Sequence, residues 1–327
     1  MAIGTWQLAV MATVLGLGTA ALAAAPAQAA TRIEKHLELG PGGQLIVKSE
    51  IGSVVVRGDA ASGAAVVITA DRDDLEKDYE LTFAASPGQA QVIIKRRDRG
   101  RGWSLGWEHW RGQVEIAVSV PRSTAATVHT SGGHIEISGL EGTADLSSSG
   151  GSVVAHQLAG KLTARSSGGA VEVRDQRGDL HLSSSGGGVR ATAVQGEVEA
   201  SSSGGSVRLE QVAGAVHARS SGGSVTIRGA GGRVAASSSG GPVAVSFAAG
   251  NAHGGDIDSS GGGVEVRVDP AVGLDVDASS SAGAVSCDLP VTVQGKVSRH
   301  AIRGILHGGG ERLHVRASGG GIRIAAL

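Results

Sequence analysis

The sequence contains very few aromatic residues, with four Trp, two Phe and one Tyr among 327 residues. Large aromatic side chains supply much of an ordinary globular core, so a thick core of that kind is excluded. Cysteine is nearly absent as well, because Cys287 is the single one and no intramolecular disulfide can form. We expect Cys287 to act as a small buried hydrophobic residue, with a reactive thiol or an intermolecular bridge as the alternative.

The sequence also has no excess of positive or negative charge, with 29 Lys and Arg against 30 Asp and Glu. The formal net charge is −1, so no overall field attracts nucleic acid or an anionic membrane, and we expect no nucleic-acid partner. The 54 glycines do not recur at every third position, which excludes collagen. Hydrophobic residues reach 41%, and Val and Ile alternate with polar residues, which excludes a disordered chain. The composition therefore indicates a folded chain with a thin, small-residue core.

Residues 1–29 have the pattern of a secretory signal peptide. An apolar stretch at 8–25 precedes Ala27 and Ala29, which have the small-x-small spacing of a cleavage site. Residues 1–7 lack the usual Lys or Arg, so an uncleaved membrane anchor is the alternative. No second long apolar segment follows, so we expect no transmembrane helix after signal cleavage. The protein is expected to be exported to the periplasm, the cell surface or the extracellular space.

A repeat of 18 residues dominates the rest of the chain. The triplet Ser-Gly-Gly recurs at this spacing, with its serine at 131, 149, 167, 185, 203, 221 and 239. Four and six residues after each serine lie apolar residues, such as Val171 and Val173, with a polar residue between them. This alternation predicts a short strand with one buried face.

A second strand follows in each repeat, with inward positions such as Leu180 and Leu182. Stacked repeats would pair each strand in parallel with its equivalents above and below. The sequence therefore predicts an all-β fold, a parallel β-solenoid (a β-helix or β-roll) with 18-residue coils, each of two short strands. One further column contains only serine, and we expect it to form a hydroxyl ladder at a tight corner: Ser148, Ser166, Ser184, Ser202, Ser220 and Ser238.

The domain organisation follows from where the repeat is regular. Residues 30–112 are predicted to form an amino-terminal β-rich region or cap, with longer strands at 64–70, 79–85 and 90–95. Residues 113–327 are predicted to form the Gly/Ser-rich β-solenoid, closed by a carboxyl-terminal cap strand around Ile322 and Ile324. An open parallel edge would template aggregation, so caps are required at both ends.

One insertion, residues 95–111, breaks the pattern. It concentrates three of the four tryptophans among Lys and Arg residues, and these types dominate the energetics of many interfaces. We therefore select a candidate partner-contact site for an envelope glycan, a lipid headgroup or a protein, comprising Trp103, Trp107, Trp110, Arg99, Arg101 and Arg111. The alternative is a hydrophobic lid that covers the end or flank of the solenoid.

Enzymatic sites are not evident in the sequence. Polysaccharide-cleaving β-solenoids need clustered carboxylates, but the outward column that includes Asp145, His181 and Glu199 mixes residue types. Calcium-binding rolls need a repeated Asp, and here that position holds residues as different as Val154 and Arg190. The histidines are scattered, and no Cys or carboxylate completes a recognisable set of metal ligands with them. We expect no catalytic residues, no metal and no cofactor.

Several stretches together resemble a known family. They are the opening at 52–56, the exit Val-Ser-Val-Pro at 118–121, the Ser-Gly-Gly run from Ser131 and the closing strand at 318–324. Over roughly residues 32–327 the chain resembles the bacterial putative-adhesin family, a domain of unknown function related to head-GIN adhesin domains. The resemblance implies an exported, adhesin-like β-solenoid and no catalytic residues.

The function predicted from the sequence is thus a non-catalytic binding or structural surface in the bacterial envelope, with an unidentified glycan or protein partner. One alternative is a periplasmic regulatory or scaffold module that binds a protein. A polysaccharide-cleaving enzyme is the third hypothesis.

Overall fold

The computed structural model describes residues 31–97, 112–294 and 298–327. In these residues the chain forms short strands and one four-residue helix, α1, at Leu75–Asp78. Seven strands, β1 to β7, form the amino-terminal region: Thr31–Leu37, Gln44–Ser49, Ser53–Arg57, Ala64–Ala70, Tyr79–Ser86, Gln89–Arg96 and Val114–Ser119.

The regular repeats form β8 to β21: Ala125–Thr130, Ile135–Ser138, Ala144–Ser148, Val153–Ala159, Leu162–Ser166, Val171–Arg177, Leu180–Ser184, Val189–Gln195, Val198–Ser202, Val207–Val212, Val216–Ser220, Val225–Ala230, Val234–Ser238 and Val243–Phe247. The carboxyl-terminal region contributes β22 to β29: Gly255–Ser259, Val264–Val268, Leu274–Ser280, Val285–Cys287, Val291–Val293, Ala301–Leu306, Glu311–Ala317 and Ile322–Ala326.

The strands lie in two long sheets, and each coil contributes one strand to each sheet. Sheet A contains β9 and the odd-numbered strands that follow it to β23, whereas sheet B contains β8 and the even-numbered strands to β22. Neighbouring coils pair in parallel at a spacing of 18 residues, so that Val171 lies opposite Val189 and Leu180 lies opposite Val198. The predicted all-β parallel solenoid with two short strands per coil is confirmed.

The core is a thin stack of small aliphatic side chains between the two sheets. The inward residues of one coil, Val207, Leu209, Val216 and Ala218, are all fully buried. Burying one such Val or Leu side chain contributes about 1.5–3 kcal/mol, and the contribution recurs in every coil. The polar residues between them face outward, as the alternation predicts.

The serine column lies at the corner where each coil passes from sheet B into sheet A. These serines are buried, but their hydroxyls do not bond to one another as a ladder. Instead, the hydroxyl of Ser166 donates to the carbonyl oxygen of Gly151 in the preceding coil, at 2.8 Å, and accepts from the N–H of Gly169, at 2.9 Å. The second glycine of each triplet is needed because the backbones stack closely, and a Cβ on Gly187 would clash with the backbone of Gly169.

At the amino-terminal end, the coils do not stack in chain order. The coil formed by β2 and β3 lies between the coil of β6 and β7 and the coil of β8 and β9. The stack is closed by antiparallel strands: β4 and β1 cover β7 in sheet A, and β5 covers β6 in sheet B. The strands predicted at 64–70, 79–85 and 90–95 are therefore present, and two of them, β4 and β5, form part of this cover.

At the carboxyl-terminal end, too, the coils do not stack in chain order. The coil of β28 and β29 lies between the coil of β22 and β23 and the coil of β24 and β25. The strand predicted to cap the solenoid, β29, is therefore an interior strand, and this prediction is corrected. In sheet B the end is covered instead by two antiparallel strands: β27 pairs with β24, and β26 pairs with the other edge of β27.

Candidate functional site

The six residues predicted from the sequence, Trp103, Trp107, Trp110, Arg99, Arg101 and Arg111, lie outside the described residues, as does the predicted signal peptide. The described chain stops at Arg97 and resumes at Gly112, between β6 and β7. Gly112, Gln113, Gly133 and His134 line a depression of about 680 Å³ here. The proposal that the insertion contacts a partner stays a prediction.

The described residues contain a different candidate, at the corner where each coil passes from sheet A into sheet B. Here the backbone turns through one residue with a left-handed conformation, and in four successive coils that residue is not glycine. The φ angles are 56° at Gln157, 54° at Asp175, 56° at Ala193 and 56° at Gln211. Such a conformation costs of order 1 kcal/mol or more for a residue with a Cβ, and strained residues cluster at functional sites.

The same column begins and ends with glycine, at Gly139 with φ of 70° and at Gly229 with φ of 66°. Glycine adopts this conformation without strain, so the corner itself does not require a side chain. The four residues between them have a Cβ and are therefore strained in this conformation. Two of them, Gln157 and Asp175, are exposed to solvent. Their side chains are therefore candidates for a binding role.

These side chains form one wall of a groove, which we call the corner groove. It has a volume of about 560 Å³ and crosses the coils that begin at β8, β10, β12 and β14. The buried residues Leu140, Leu158 and Gln176 lie beneath it. Its polar lining side chains are those of Arg122, Glu141, Gln157, Asp175, Arg177 and Gln195.

Gln176 is an unusual residue for the base of this groove. Its equivalents in the neighbouring coils are the apolar residues Leu158 and Val194, and Gln176 is 1% exposed. Its Nε2 donates hydrogen bonds to the carbonyl oxygens of Gly160, at 2.5 Å, and Arg177, at 3.2 Å. Its Oε1 is buried without a hydrogen-bond partner among the described residues. An unsatisfied buried carbonyl costs about 1–3 kcal/mol, so this position also departs from what stability alone would select.

The arrangement suits recognition of a polar, extended ligand. Guanidinium, carboxylate and amide groups from successive coils present donors and acceptors in a row, with steps of about 4.8 Å between coils. Each contact with the solvent-exposed groove is weak, but contacts repeated along one ligand add together.

Much of the chain matches a known protein family. The family described as Toastrack DUF4097 matches residues 111–325. The chain belongs to the Toastrack DUF4097 family. The resemblance found in the sequence is confirmed, because this is a domain of unknown function with a solenoid-like fold. The match includes the whole corner groove and begins after most of the amino-terminal region.

Solved structures resemble this Toastrack chain only distantly. A putative lipid binding protein from Parabacteroides distasonis matches over 90% of this chain and 97% of its own, with 12% identity and a TM-score of 0.36. For a putative adhesin from the same species, the coverage is 90% and 97%, the identity 8% and the TM-score 0.32. A putative cell adhesion protein from Clostridium sporogenes has coverage of 91% and 100%, 12% identity and a TM-score of 0.21. Similarity at this level does not bear on function. No curated protein matches the chain.

A second polar cluster lies on the outer face of sheet B, at the carboxyl-terminal end of the Toastrack domain. The side chain of Asp277 is 18% exposed and accepts hydrogen bonds from Arg312, at 2.7 Å, and Arg303, at 3.1 Å, while His314 lies 3.6 Å away. Partial burial by itself would raise the pKa of the Asp277 carboxyl, but the hydrogen bonds from Arg312 and Arg303 hold the pKa below its ordinary value. A carboxylate neutralised in this way joins β24, β27 and β28, which indicates a structural role.

The remaining chemistry-bearing groups are dispersed. Within residues 31–97, 112–294 and 298–327, His, Cys, Asp and Glu side chains form no group of three or more that could hold a metal ion. The Cys287 side chain is half-buried and packs against the core, and burial raises the pKa of its thiol. This environment fits the hydrophobic role expected for Cys287. No helix in the described part of the chain is long and apolar enough to span a membrane.

The corner groove was not predicted from the sequence, although the sequence contains a signal for it. In the column at the end of each sheet A strand, Gly139 and Gly229 stand at the ends and Gln157, Asp175, Ala193 and Gln211 stand between them. Glycine at equivalent positions indicates a left-handed turn, and polar residues at the same turn indicate an exposed corner. The glycine and polar residues of this column together therefore indicate the position of the groove.

Proposed function

We propose that this Toastrack protein is an exported, non-catalytic, adhesin-like module of the bacterial envelope that binds an extended glycan along the corner groove. Export is supported by the apolar stretch at 8–25 and the small residues Ala27 and Ala29. The observation that carries the binding function is the row of polar side chains on successive coils, held by strained backbone at Gln157 and Asp175.

Glycan chemistry fits this row. A sugar ring presents hydroxyl groups that both donate and accept hydrogen bonds, and the groove offers both kinds of partner: the guanidinium of Arg177 donates, the carboxylate of Asp175 accepts, and the amide of Gln157 does both. An extended polysaccharide repeats its hydroxyl groups at a spacing comparable to one coil. Several weak contacts along one polymer then give useful avidity.

The first experiment is a retention assay on the immobilised chain with two kinds of sample, protein-free cell-wall and envelope polysaccharides, and deglycosylated envelope proteins. The proposal expects retention of a polysaccharide, with loss of retention in the Asp175→Gly variant. Retention of a protein alone would favour the alternative, a periplasmic regulatory or scaffold module.

The enzyme hypothesis needs a separate measurement. The retained polysaccharide is incubated with the chain, and its length distribution is followed by size-exclusion chromatography. The proposal expects unchanged polymer length. Shortening that a single carboxylate substitution abolishes would show a polysaccharide-cleaving enzyme and would overturn the non-catalytic function.

A further inference from the structure

The last coil in the sequence is an interior coil in the stack. Strand β28 pairs in parallel with β22 on one side and β24 on the other, and β29 pairs with β23 and β25. Strand β27, which precedes β28 in the chain, lies on the opposite side of β24. The short connection at residues 307–310 therefore passes over the end of β24 before the chain enters the gap between two coils that precede it in the sequence.

The backbone of this connection is strained and exposed. His307 has a φ of 44°, and Gly308 and Gly309 follow with φ of 89° and 86°. His307, Gly308 and Gly310 are exposed to solvent. A histidine in the left-handed region costs free energy that an extended connection would release. A short hinge loop under strain favours exchange of the element that follows it between copies of a chain.

The coil also lacks one contact that its two neighbouring coils make. Ser259 donates its hydroxyl to the carbonyl oxygen of Gly241 in the coil below, and Ser280 does the same to Gly320. Ala317 occupies this position in the inserted coil, so its side chain cannot donate such a bond to the coil of β22 and β23. The inserted coil is held to that neighbour by backbone pairing and core packing without the corner bond.

We propose that residues 311–327 exchange between two copies of this chain, so that the carboxyl-terminal coil of each copy fills the gap between the coil of β22 and β23 and the coil of β24 and β25 in its partner. The partner is a second copy because it carries an identical coil, whose inward residues Leu313, Val315, Ile322 and Ile324 are already buried in this gap. Residues 307–310 join the coil to the part of the chain that precedes it, so the coil can move to a second copy by a change in this one connection.

All contacts of the coil are re-formed in the exchanged dimer. Arg312 still reaches an Asp277, at 2.7 Å in the closed form, and Arg323 still reaches an Asp288, at 2.8 Å. The two forms differ in the hinge and in the entropy of association. Exchange is thus favoured by a high protein concentration and by any change that straightens residues 307–310.

A pair of cysteines can report which chain supplies the coil. Ser279 on β24 and Arg316 on β28 are register partners on the outer face of sheet B. The variant Ser279→Cys with Arg316→Cys, in a Cys287→Ser background, forms a bond within one chain if the coil is closed and between two chains if it is exchanged. The full chain is refolded under oxidising conditions over a series of concentrations and then examined on a denaturing gel without reductant.

The matched control places the pair at a regular coil boundary, with Ser183→Cys and Ser201→Cys in the same background. We expect a covalent dimer from the first pair, in a fraction that rises about tenfold with tenfold concentration while monomer dominates, and only intrachain bonds from the control. Intrachain bonds alone from both pairs, across the series, would overturn the proposal.

A hinge variant gives an independent test. Deleting residues 307–310 leaves one Cα–Cα step of about 3.8 Å between Leu306 and Glu311, which cannot span the two strand spacings of about 9.6 Å across β24, so the closed form is blocked while the exchanged form remains possible. We expect this variant to elute as a dimer in size-exclusion chromatography at concentrations at which the unmodified chain is mostly monomeric. A folded monomer, judged by circular dichroism and elution volume, would contradict the proposal, and if this variant does not fold the cysteine pair decides.

Discussion

The hydroxyl of Ser184 donates a hydrogen bond to the carbonyl oxygen of Gly169 in the preceding coil, over 2.8 Å. The hydroxyl oxygen of Ser184 also accepts the N–H of Gly187 in its own coil, at 3.0 Å. One buried hydroxyl thus bonds to a carbonyl of the preceding coil and to an amide of its own coil, at a corner where the backbones of successive coils stack closely. The pattern recurs in each regular coil, so this bond is a unit of the stability of the stack.

Replacing Ser184 with alanine should lower the free energy of unfolding by about 1–3 kcal/mol, because a buried carbonyl and a buried amide lose their partner. The neighbouring Ser185 is exposed, and Ser185→Ala should change stability by less than about 0.5 kcal/mol. Urea unfolding followed by circular dichroism measures both. Equal stability of the two variants would show that the corner bond contributes nothing.

The assigned pleat predicts opposite tolerances at adjacent positions. Val207 is fully buried, so Val207→Asp places a carboxylate in the aliphatic stack without a partner and should cost about 3 kcal/mol or more. Arg208 is exposed beside Arg190, so Arg208→Asp should cost less than about 1 kcal/mol. The comparison is made by thermal unfolding, and similar midpoints for the two variants would contradict the inward and outward assignment.

The regular coils could be predicted because their determinants are local. Alternation around Val171 and Val173 defines the buried face, and the 18-residue step defines which strands pair. The burial of the serine column was also predictable, since Ser184 continues the inward alternation of Leu180 and Leu182. The hydrogen-bond partner of the Ser184 hydroxyl could not be predicted, because the hydroxyls of such a column can bond either to one another or to the backbone.

The order of coils at the two ends could not be predicted. The coils of β22, β24 and β28 carry nearly the same pattern of inward residues, with Ile257, Ala278 and Val315 at equivalent positions. The inward residues of each of these coils can pack against those of either of the other two, so the sequence pattern does not determine which coils are adjacent in the stack. Stacking in chain order was the simplest expectation, and it led to the incorrect assignment of β29 as a cap.

The carboxylate of Asp277 should make the stability of the carboxyl-terminal end depend on pH. Its pKa in the folded state lies below its ordinary value, so its ion pairs stabilise the fold above the unfolded pKa of about 3.9. This stabilisation is lost as the pH falls through the lower folded pKa. Asp277→Asn should therefore be less stable than the unmodified chain near pH 7, with a difference that shrinks in acid.

Denaturant unfolding of both proteins between about pH 7 and about pH 2 measures this difference. Asp258→Asn is a matched control, because Asp258 lies two strands away on the same face and takes part in none of the described ion pairs. The interpretation fails if the Asp277→Asn difference is the same at every pH.

Removing the carboxyl-terminal coil should be more damaging than removing an edge strand. A chain that ends at Leu306 loses the coil of β28 and β29. The strands β22 and β24 then both lose their pairing with β28. A chain without residues 31–37 loses only β1, which pairs with β4 alone. Hydrogen exchange should show lost protection in β22 to β25 for the first truncation and in β4 for the second. Full protection of β22 to β25 without the last coil would show that the coils can restack in chain order.

The most direct measurement of the central claim compares binding of the retained polysaccharide by three proteins: the unmodified chain, Asp175→Gly and Gln211→Gly. Both substitutions remove a side chain from the same left-handed corner, and both should leave stability unchanged or raise it by up to about 1 kcal/mol. Asp175 lines the corner groove, whereas Gln211 lies beyond it. Calorimetric titration should show at least about tenfold weaker binding for Asp175→Gly, equivalent to about 1.4 kcal/mol, and unchanged binding for Gln211→Gly. Equal affinity for all three proteins would contradict the assignment of the corner groove as the glycan-binding site.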